Sequence, residues 1–285
     1  MFATIEQNNL IKEINRQFTV TITSDQFSKR AWVNDYTYQN PGELLQYINN
    51  TAASHDLEKI IFPVRKKHLP DLKPGFAAEG WVEGFFNGED GCFLTAYPVT
   101  RRCQSENLSE LLALVRGILA RRRTRAPATL PHGCTMFAPG LKDVAELGEL
   151  FKGAFATYPS PVDQPDYLAG VLGKSALFMA IKKDNRIISA AAAEIDIAKG
   201  NAELTNCATL PGNRGSGLMG NLIAALEQEC LTRRINSLYS LARASSYGMN
   251  LVFHRLGYRY RGTLVNNCHI SGGYENMNIW SKYAR

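Results

Sequence analysis

Hydrophobic residues recur along the second half of the chain with two different spacings. Over residues 141–158 they stand three and four positions apart, which is typical of an amphipathic helix. The same spacing predicts further helices over residues 166–172, 216–234 and 246–256. Runs of strand-forming residues predict strands over residues 177–182, 186–197, 201–210, 237–242, 258–265 and 276–282. The order α-α-β-β-β-α-β-α-β-β predicts a mixed α/β sheet flanked by helices.

The first half of the chain carries a weaker pattern. Helical spacing over residues 41–53 and 107–121 and a strand-like run over residues 59–64 predict a smaller α/β domain. A basic cluster at residues 121–125 leads into a proline-punctuated segment that cannot continue a helix, which predicts a linker. With a length of 285 residues, we predict two domains, residues 1–125 and residues 130–285.

A short similarity links the two halves. The segment Gly75-Phe76-Ala77-Ala78-Glu79-Gly80 parallels Gly257-Tyr258-Arg259-Tyr260-Arg261-Gly262, and in both places a strand follows. One hypothesis is that residues 55–100 repeat the C-terminal portion of the second domain. The alternative is a chance recurrence of a common glycine–aromatic turn, and the sequence leaves both open.

The composition narrows the class of protein. Hydrophobic residues make up 45% and charged residues 20%, which excludes a disordered, collagen-like or coiled-coil chain. No apolar run is long enough to span a membrane and no secretory leader is evident, so we expect a cytoplasmic protein without membrane contact. The six cysteines form no C-x-x-C pair, so we expect reduced thiols and no metal site. A net charge of +6 permits an anionic ligand; the basic cluster at residues 121–125 leaves nucleic-acid binding as an alternative that we do not expect.

The segment with the clearest chemistry covers residues 202–220, where a strand runs through a glycine-rich loop into a helix. Glycines let the backbone approach a ligand closely, and the free N–H groups of the first helical turn attract an anion. Arg214 adds a forked cationic donor at the start of this loop. The Walker A pattern is absent, and the match of Gly215, Gly217 and Gly220 to a dinucleotide fingerprint lacks the acidic residue expected after the next strand. The loop therefore predicts a phosphate or pyrophosphate site.

The run Arg214-Gly215-Ser216-Gly217 between a strand and a helix resembles motif A of the GCN5-related N-acetyltransferases (GNAT). The resemblance implies a mostly antiparallel GNAT-type sheet in the second domain and acetyl-CoA as the acetyl donor. It implies that the pantetheine arm lies along Cys207, Ala208, Thr209 and Leu210. It implies that the pyrophosphate lies against Arg214, Gly215, Ser216, Gly217, Leu218, Met219 and Gly220. Met219 departs from the small residue usual at the last motif position, so its side chain either crowds the pyrophosphate or turns into the core.

Three further segments, residues 206–211, 242–250 and 256–267, are similar to the β-lysine N-acetyltransferase family. This resemblance implies acetylation of the ε-amine of β-lysine to give the osmolyte N-ε-acetyl-β-lysine. It also implies a pathway link to a lysine 2,3-aminomutase that supplies β-lysine. Acetylation of another small amine, such as a polyamine or lysine, and a non-catalytic acyl-CoA sensor are the alternatives. A homodimer is left open.

An amine with a pKa of about 10.4 must lose a proton before it attacks a thioester, so the site needs a base. Glu203 is the preferred candidate because it lies on the strand expected to hold the pantetheine arm; the alternative is a surface glutamate without a role. Glu194 and Asp196 on the neighbouring strand are alternatives, as base or as anchor of the ammonium group. The tyrosine that many GNAT enzymes use as the acid is replaced here by Phe253. Tyr247 is the nearest substitute, unless it packs in the core.

Substrate selection requires a cation for the carboxylate and polar groups for a second amine. Arg243 is the predicted cation, or else a structural charge pair, and the predicted amine contacts are Asn250, Asn266, Asn267, Glu275 and Asn276. His254 is expected at the surface or in a helix cap. Cys207 has no flanking histidine to form a thiolate, so direct transfer in a ternary complex is predicted rather than an acetyl-enzyme.

Overall fold

The computed structural model describes residues 9–124, 126–155, 158 and 160–284, and its described strands join in one 13-stranded sheet. The N-terminal half contains the strands β1 (Asn9–Ile14), β2 (Phe18–Asp25), β3 (Arg30–Tyr38), β4 (Lys59–Arg65), β5 (Ala77–Phe86) and β6 (Glu89–Ala96). Its helices are α1 (Pro41–Ser54), α2 (Leu69–Leu72) and α3 (Leu108–Leu119). Residue 125, in the predicted linker, lies outside the described residues.

The C-terminal half follows the order predicted from the spacing of apolar residues, except for an unpredicted first strand, β7. Its strands are β7 (Cys134–Phe137), β8 (Ala176–Lys183), β9 (Arg186–Asp196), β10 (Asn201–Thr209), β11 (Ser237–Arg243), β12 (Arg259–Ile270) and β13 (Gly273–Tyr283). Its helices are α4 (Val144–Ala154), α5 (Pro165–Val171), α6 (Leu218–Thr232) and α7 (Tyr247–Arg255). The predicted helix over residues 141–158 is shorter than expected, because a 3₁₀ turn precedes it and extended backbone at Phe155 ends it.

The order of strands in the sheet is β1-β2-β3-β4-β6-β5-β12-β13-β11-β10-β9-β8-β7. Read toward the middle of the sheet, the series β1-β2-β3-β4-β6-β5 and β8-β9-β10-β11-β13-β12 have the same order. Strand β7 lies outside β8 at the edge of the sheet. In each series the third strand pairs in parallel with the fourth for three residues, and a helix connects them. The two series meet where β5 pairs with β12 at Gly80 and Gly262. The described halves therefore share one continuous sheet with an internal pseudo-two-fold arrangement.

The two central hairpins also match in their irregularities. In β5–β6 the register shifts between Ala78 and Gly80, and in β12–β13 it shifts between Tyr260 and Gly262. A second shift follows at corresponding places, between Val82 and Phe86 and between Leu264 and Cys268. Each of these four positions in β12 lies the same number of residues after its counterpart in β5. Matching bulges at matching places favour the repeat hypothesis over a chance recurrence of one turn.

Contacts across the junction of the halves occur in reciprocal pairs, as in an isologous interface. The Lys59 Nζ donates to the Val265 carbonyl at 2.6 Å, and at the equivalent place the Ser237 hydroxyl donates to the Glu83 carbonyl at 2.6 Å. The Asn201 side chain donates to the Phe85 carbonyl, and Arg30 donates to the Asn267 carbonyl. A cluster of buried apolar side chains from both halves packs beside these contacts.

A second apolar cluster fixes the C-terminal helices against the sheet and corrects one prediction. His254 was expected at the surface, but only 2% of it is exposed and its Nε2 lies 2.8 Å from the Arg121 carbonyl oxygen. The adjacent Phe253 is fully buried against Tyr258. The helix spacing predicted this helix, but it did not predict that α3 packs on α7 and covers His254. Among the described residues, no helix is long and apolar enough to cross a membrane.

Candidate active site

A cavity of about 310 Å³ lies at the contact between the two halves. Three carboxylates line it, those of Glu194, Asp196 and Glu203. The remaining lining side chains from the C-terminal half include Tyr167, Ser175, Lys199 and Tyr239, and the N-terminal half contributes Trp32, Asn34 and Phe85. The volume is at the lower end of the range for small-molecule sites, so this acidic cavity fits a small cationic ligand.

Glu203 stands at the centre of the acidic cavity because the sheet register brings two partners beside it. It lies opposite Glu194 of β9 on one side and Tyr239 of β11 on the other. Burial, followed by the neighbouring Glu194 carboxylate, raises the pKa of Glu203 to about 8. The Arg30 guanidinium and hydrogen bonds from the Tyr239 hydroxyl and the Leu241 amide act in the opposite direction. A carboxyl with its pKa near neutral pH is suited to take up and release a proton.

Glu194 and Asp196 differ in their surroundings, although both line the cavity. The Asn206 side-chain amide donates to Glu194 at 3.1 Å, and burial raises the pKa of Glu194 above its usual range. Asp196 accepts from the backbone and the ammonium group of Lys199, at 2.9 and 2.6 Å. Asp196 is therefore already paired, whereas neither Glu194 nor Glu203 forms an ion pair within the described residues, and Arg30 acts on Glu203 from farther away.

The strand β10 offers an open backbone edge next to this cavity. It pairs in parallel with β11 only over Asn201, Ala202 and Glu203, and the two strands then separate. A register shift between Thr205 and Ala208 bulges β10 on its other side, where Asn206 adopts a positive φ of 52°. The backbone of residues 204–209 therefore faces β11 without a strand partner on that side among the described residues. An extended ligand arm with amide groups can pair with such an edge.

The glycine-rich loop after β10 has the properties of an anion site. Gly215 and Gly217 have φ values of 82° and 81°, which only glycine adopts without strain. Within the described residues, the amides of Leu218, Met219 and Gly220 in the first turn of α6 have no hydrogen-bond acceptor, and no side chain caps this helix. These donors and the positive end of the helix dipole fit a pyrophosphate.

Two further side chains complete the loop. The Nε of Arg214 donates to the Thr209 carbonyl at 3.1 Å, which holds the guanidinium beside the end of β10 and leaves its two terminal nitrogens without an acceptor among the described residues. The Ser216 hydroxyl donates to the Asn213 carbonyl at 2.6 Å. Met219 is 8% exposed and packs in the apolar core beneath α6, so its side chain leaves the loop free. Of the two alternatives left open for Met219, the structure shows the side chain in the core.

The two residues predicted as acid and as carboxylate-binding cation lie outside the lining of the acidic cavity. Tyr247 is 42% exposed at the start of α7, so the alternative of core packing is wrong. The Arg243 guanidinium forms an ion pair with Glu275 at 2.7 Å, which is the structural charge pair named as its alternative. Both residues were selected because they lie close together in a motif-like segment of the sequence. In the structure, Arg243 at the end of β11 and Tyr247 at the start of α7 lie past the cavity.

Two of the predicted amide contacts are also occupied elsewhere. The side-chain oxygen of Asn250 accepts from Asn278 and Trp280, and its nitrogen donates to the carbonyls of Arg243 and Ser246. The Asn266 side chain donates to the carbonyls of Arg102 and Gln104. Both side chains therefore stabilise the fold, and neither lines the cavity.

Several residues at this site were missed by the sequence analysis. Trp32 and Asn34 come from the N-terminal half, and no local pattern connects them with β10. Tyr239 was inside a predicted strand, where it looks like an ordinary core residue. Tyr158 lies near Glu203, Cys207 and the Thr205 hydroxyl, and burial raises its pKa well above the usual value. Among the described residues, no cluster of histidine, cysteine and carboxylate side chains could hold a metal ion.

Comparison with known proteins agrees with this geometry. Residues 144–258 match the acetyltransferase (GNAT) family. The N-acetyltransferase YodP of Bacillus subtilis is 37% identical over 265 residues, which cover 93% of this chain and 96% of that protein. The β-lysine N(6)-acetyltransferase of Methanosarcina mazei is 30% identical over 262 residues, covering 84% of this chain and 96% of that protein. That of Methanococcus maripaludis is 28% identical and covers 85% and 89%.

The resemblance inferred from the motifs is therefore confirmed over nearly the whole chain, including the N-terminal half. Membership implies acetyl-CoA as the acetyl donor and an amine as the acceptor. The chain belongs to the acetyltransferase (GNAT) family and is an N-acetyltransferase related to the β-lysine N(6)-acetyltransferases.

Proposed function

We propose that this protein transfers the acetyl group of acetyl-CoA to the ε-amine of β-lysine. The observation that carries the proposal is the acidic cavity, in which Glu194 and Glu203 face each other next to the open edge of β10. Two carboxylates attract an ammonium group and hold it at the strand where the acyl donor would lie. The two relatives named as β-lysine N(6)-acetyltransferases support β-lysine over other small amines. The product would be an osmolyte, and a lysine 2,3-aminomutase would supply the substrate.

The donor would be held by backbone groups of this chain. Acetyl-CoA supplies a thioester whose carbonyl carbon accepts the amine. The pantetheine arm would pair with the backbone of Cys207, Ala208, Thr209 and Leu210. The amides of Leu218, Met219 and Gly220 would bind the pyrophosphate, together with Arg214 and the turn of Gly215, Ser216 and Gly217. A backbone N–H of β10 beyond the bulge would donate to the carbonyl oxygen as negative charge develops there.

Glu203 is the proposed base. The substrate arrives as an ammonium ion, because the pKa of a lysine-type amine is about 10.4 in water. The carboxylate of Glu203 takes one proton from it, directly or through one water molecule, which frees the nitrogen lone pair for attack. Glu194 attracts the ammonium group of the substrate before this proton is transferred. The Tyr239 hydroxyl, hydrogen-bonded to Glu203, orients the carboxylate.

Protonation of the departing thiolate needs a second group. Phe253 occupies the position where many relatives carry a tyrosine, and it is buried. Tyr247, the acid predicted from the sequence, is directed to the surface. Tyr158 is the better candidate, because it lies near Cys207 and Thr205 on the part of β10 proposed to hold the thioester. Because the raised pKa keeps its hydroxyl protonated, Tyr158 would donate a hydrogen bond to the departing thiolate and stabilise its negative charge.

Transfer would occur directly between the two substrates. Burial raises the pKa of the Cys207 thiol to about 12, so the thiolate needed for a covalent acetyl-enzyme is scarce at neutral pH. The side chain instead donates to the Thr205 carbonyl at 3.5 Å. Direct transfer in a ternary complex that holds both substrates at once is consistent with this environment.

The test is release of free thiol from acetyl-CoA with a panel of amines: β-lysine, α-lysine, ornithine, spermidine and a lysine-containing peptide. We expect β-lysine to have the highest kcat/KM, by at least about tenfold over α-lysine. Glu203→Gln serves as the control for background hydrolysis. A preference for spermidine or α-lysine would contradict β-lysine as the substrate and leave the N-acetyltransferase activity intact.

A further inference from the structure

The strand β3 of the N-terminal half presents a row of side chains to the acidic cavity. Trp32 and Asn34 line the cavity directly. Arg30 stands two residues before Trp32 on the same face of the strand, with its guanidinium 5.8 Å from the centre of the Trp32 ring. The pseudo-two-fold arrangement explains this placement, because β3 occupies in the N-terminal half the place that β10 occupies in the C-terminal half. Trp32 pairs with β4 where Glu203 pairs with β11.

The Arg30 side chain is fixed in position but not saturated. Its Nε donates to the Asp25 carboxylate at 2.8 Å, and its Nη1 reaches the Asn267 carbonyl at 3.5 Å. Asp25 is itself held by the Ser28 amide at 2.9 Å. In the described part of the chain, the Nη2 of Arg30 has no hydrogen-bond acceptor, and 16% of the side chain is accessible. A guanidinium anchored through two nitrogens and free at the third is preorganised for an anion.

Asn267 provides an independent observation at the same place. Its side chain is 1% exposed, yet neither its Nδ2 nor its Oδ1 has a hydrogen-bond partner in the described residues. Its backbone carbonyl is the group that Arg30 reaches, so Asn267 and Arg30 are neighbours across the junction of the halves. Its counterpart in the other half, Phe85, lines the cavity. Buried polar groups without partners are rare in folded proteins, and a bound ligand is one way to satisfy them.

We propose that Arg30, assisted by the side-chain amide of Asn267, binds the carboxylate of the amino-acid substrate. The proposal rests on the proposed function, because it assigns the second end of the same substrate. Glu194 and Glu203 would hold the amine inside the acidic cavity, and Arg30, next to the lining residue Trp32, would hold the carboxylate at its border. Arg30 is paired with Asp25 but keeps one nitrogen without an acceptor in the described residues, whereas the single nitrogen of Lys199 is paired with Asp196 and Arg243 is paired with Glu275 away from the cavity. The N-terminal half would thereby select amino acids over plain diamines.

The experiment compares β-lysine with its carboxamide, 3,6-diaminohexanamide, which keeps both amines and lacks the negative charge. For the wild-type protein we expect kcat/KM to be about 10- to 100-fold higher for β-lysine, the range of one charge-assisted hydrogen-bonded contact. Arg30→Gln is expected to remove this preference by lowering kcat/KM for β-lysine much more than that for the amide, while the loss of the charge beside Glu203 raises the pKa of that base and slows both substrates alike. Arg30→Lys should restore part of the preference, because lysine keeps the positive charge but lacks the paired donors of the guanidinium group.

Three results would overturn the proposal. The first is a wild-type protein that acetylates β-lysine and the amide equally well. The second is an equal loss on both substrates in Arg30→Gln, which indicates a structural role. The third is loss of the preference in Lys199→Ala instead. If Arg30→Gln does not fold, Asn267→Ala keeps the Arg30–Asp25 pair and is expected to lower the preference severalfold. Failure of the proposed function is distinguished from all of these, since β-lysine would then not be acetylated at all.

Discussion

Replacing Glu203 by glutamine tests the proposed base through two opposite effects, on activity and on stability. Glutamine keeps the size of the side chain and removes its charge and its ability to take a proton. General-base catalysis contributes about 10²- to 10⁴-fold to rates, so kcat is expected to fall within that range. The wild-type kcat/KM is expected to rise with pH up to about 8, where Glu203 becomes ionised, and the variant is expected to lack this rise.

The effect on stability follows from the raised pKa. A carboxyl with a pKa of about 8 in the folded protein and 4.5 in the unfolded chain binds its proton more tightly when folded. Between these values the folded state holds more protons, so the free energy of unfolding falls as the pH rises. The full difference corresponds to about 5 kcal/mol at 1.36 kcal/mol per pH unit, and coupling to Glu194 spreads it over both carboxyls, so that replacing one of them recovers only part of it.

Glu203→Gln is therefore expected to unfold at a temperature about 3 °C higher than the wild type at pH 8.5, with the difference shrinking toward zero at pH 5. Thermal unfolding followed by circular dichroism at both pH values measures it, alongside the pH profile of kcat/KM. Glu194→Gln is the matched control: it should also stabilise at pH 8.5 but retain more activity. An unfolding temperature for Glu203→Gln that is unchanged or lower at pH 8.5 would refute the raised pKa, and an unaltered pH profile would refute the role as base.

Three other predictions concern the junction of the halves, the anion loop and the order of chemical steps. A Cβ at Gly262 would lie 2.0 Å from the Glu79 carbonyl oxygen, so Gly262→Ala should lower the free energy of unfolding in urea by more than about 3 kcal/mol. The control Gly170→Ala, with open space around it, should change this free energy by less than about 1 kcal/mol. Arg214→Ala should raise the KM for acetyl-CoA about tenfold with a smaller effect on kcat, and Arg214→Lys should fall between, in steady-state assays. Cys207→Ala should keep kcat within about threefold of the wild type; complete loss of activity would indicate a covalent intermediate.

Local patterns predicted the elements of the C-terminal half because each of its helices and strands has a regular apolar face. The apolar stripe of α6 includes Leu222 and Leu226, and both are fully buried in the structure. The same patterns did not predict that β5 and β12 join two sheets into one. That junction depends on Gly80 and Gly262, whose missing side chains let the backbones approach, and glycine carries no hydrophobic signal. The boundary between the two predicted domains stays a prediction.

The candidate site was predictable only where its residues are close in sequence. The loop from Arg214 to Gly220 and the carboxylates of β9 and β10 follow one another along the chain, so spacing and alternation were enough to select them. The polar residues farther along were selected by type alone. Asn250 and Arg243 bond to other groups of the protein, because polar groups in the interior need hydrogen-bond partners. The sequence alone does not indicate which groups those partners are. Trp32 reaches the cavity through a contact between distant strands, which no local pattern encodes.

The pseudo-two-fold arrangement also explains why the two halves take different roles. In the C-terminal half, residues 210–217 separate β10 from α6 and leave the helix amides open. In the N-terminal half, only residues 39–40 separate β3 from α1, where Asn40 caps the helix and bonds the Glu43 carboxylate at 3.0 Å. The gap between β3 and β4 is also filled, because the buried Tyr36 hydroxyl accepts from the Arg65 amide at 3.0 Å. The N-terminal half thus has neither an anion site nor an open strand edge at these places, and what it retains is the face of β3 that closes the acidic cavity.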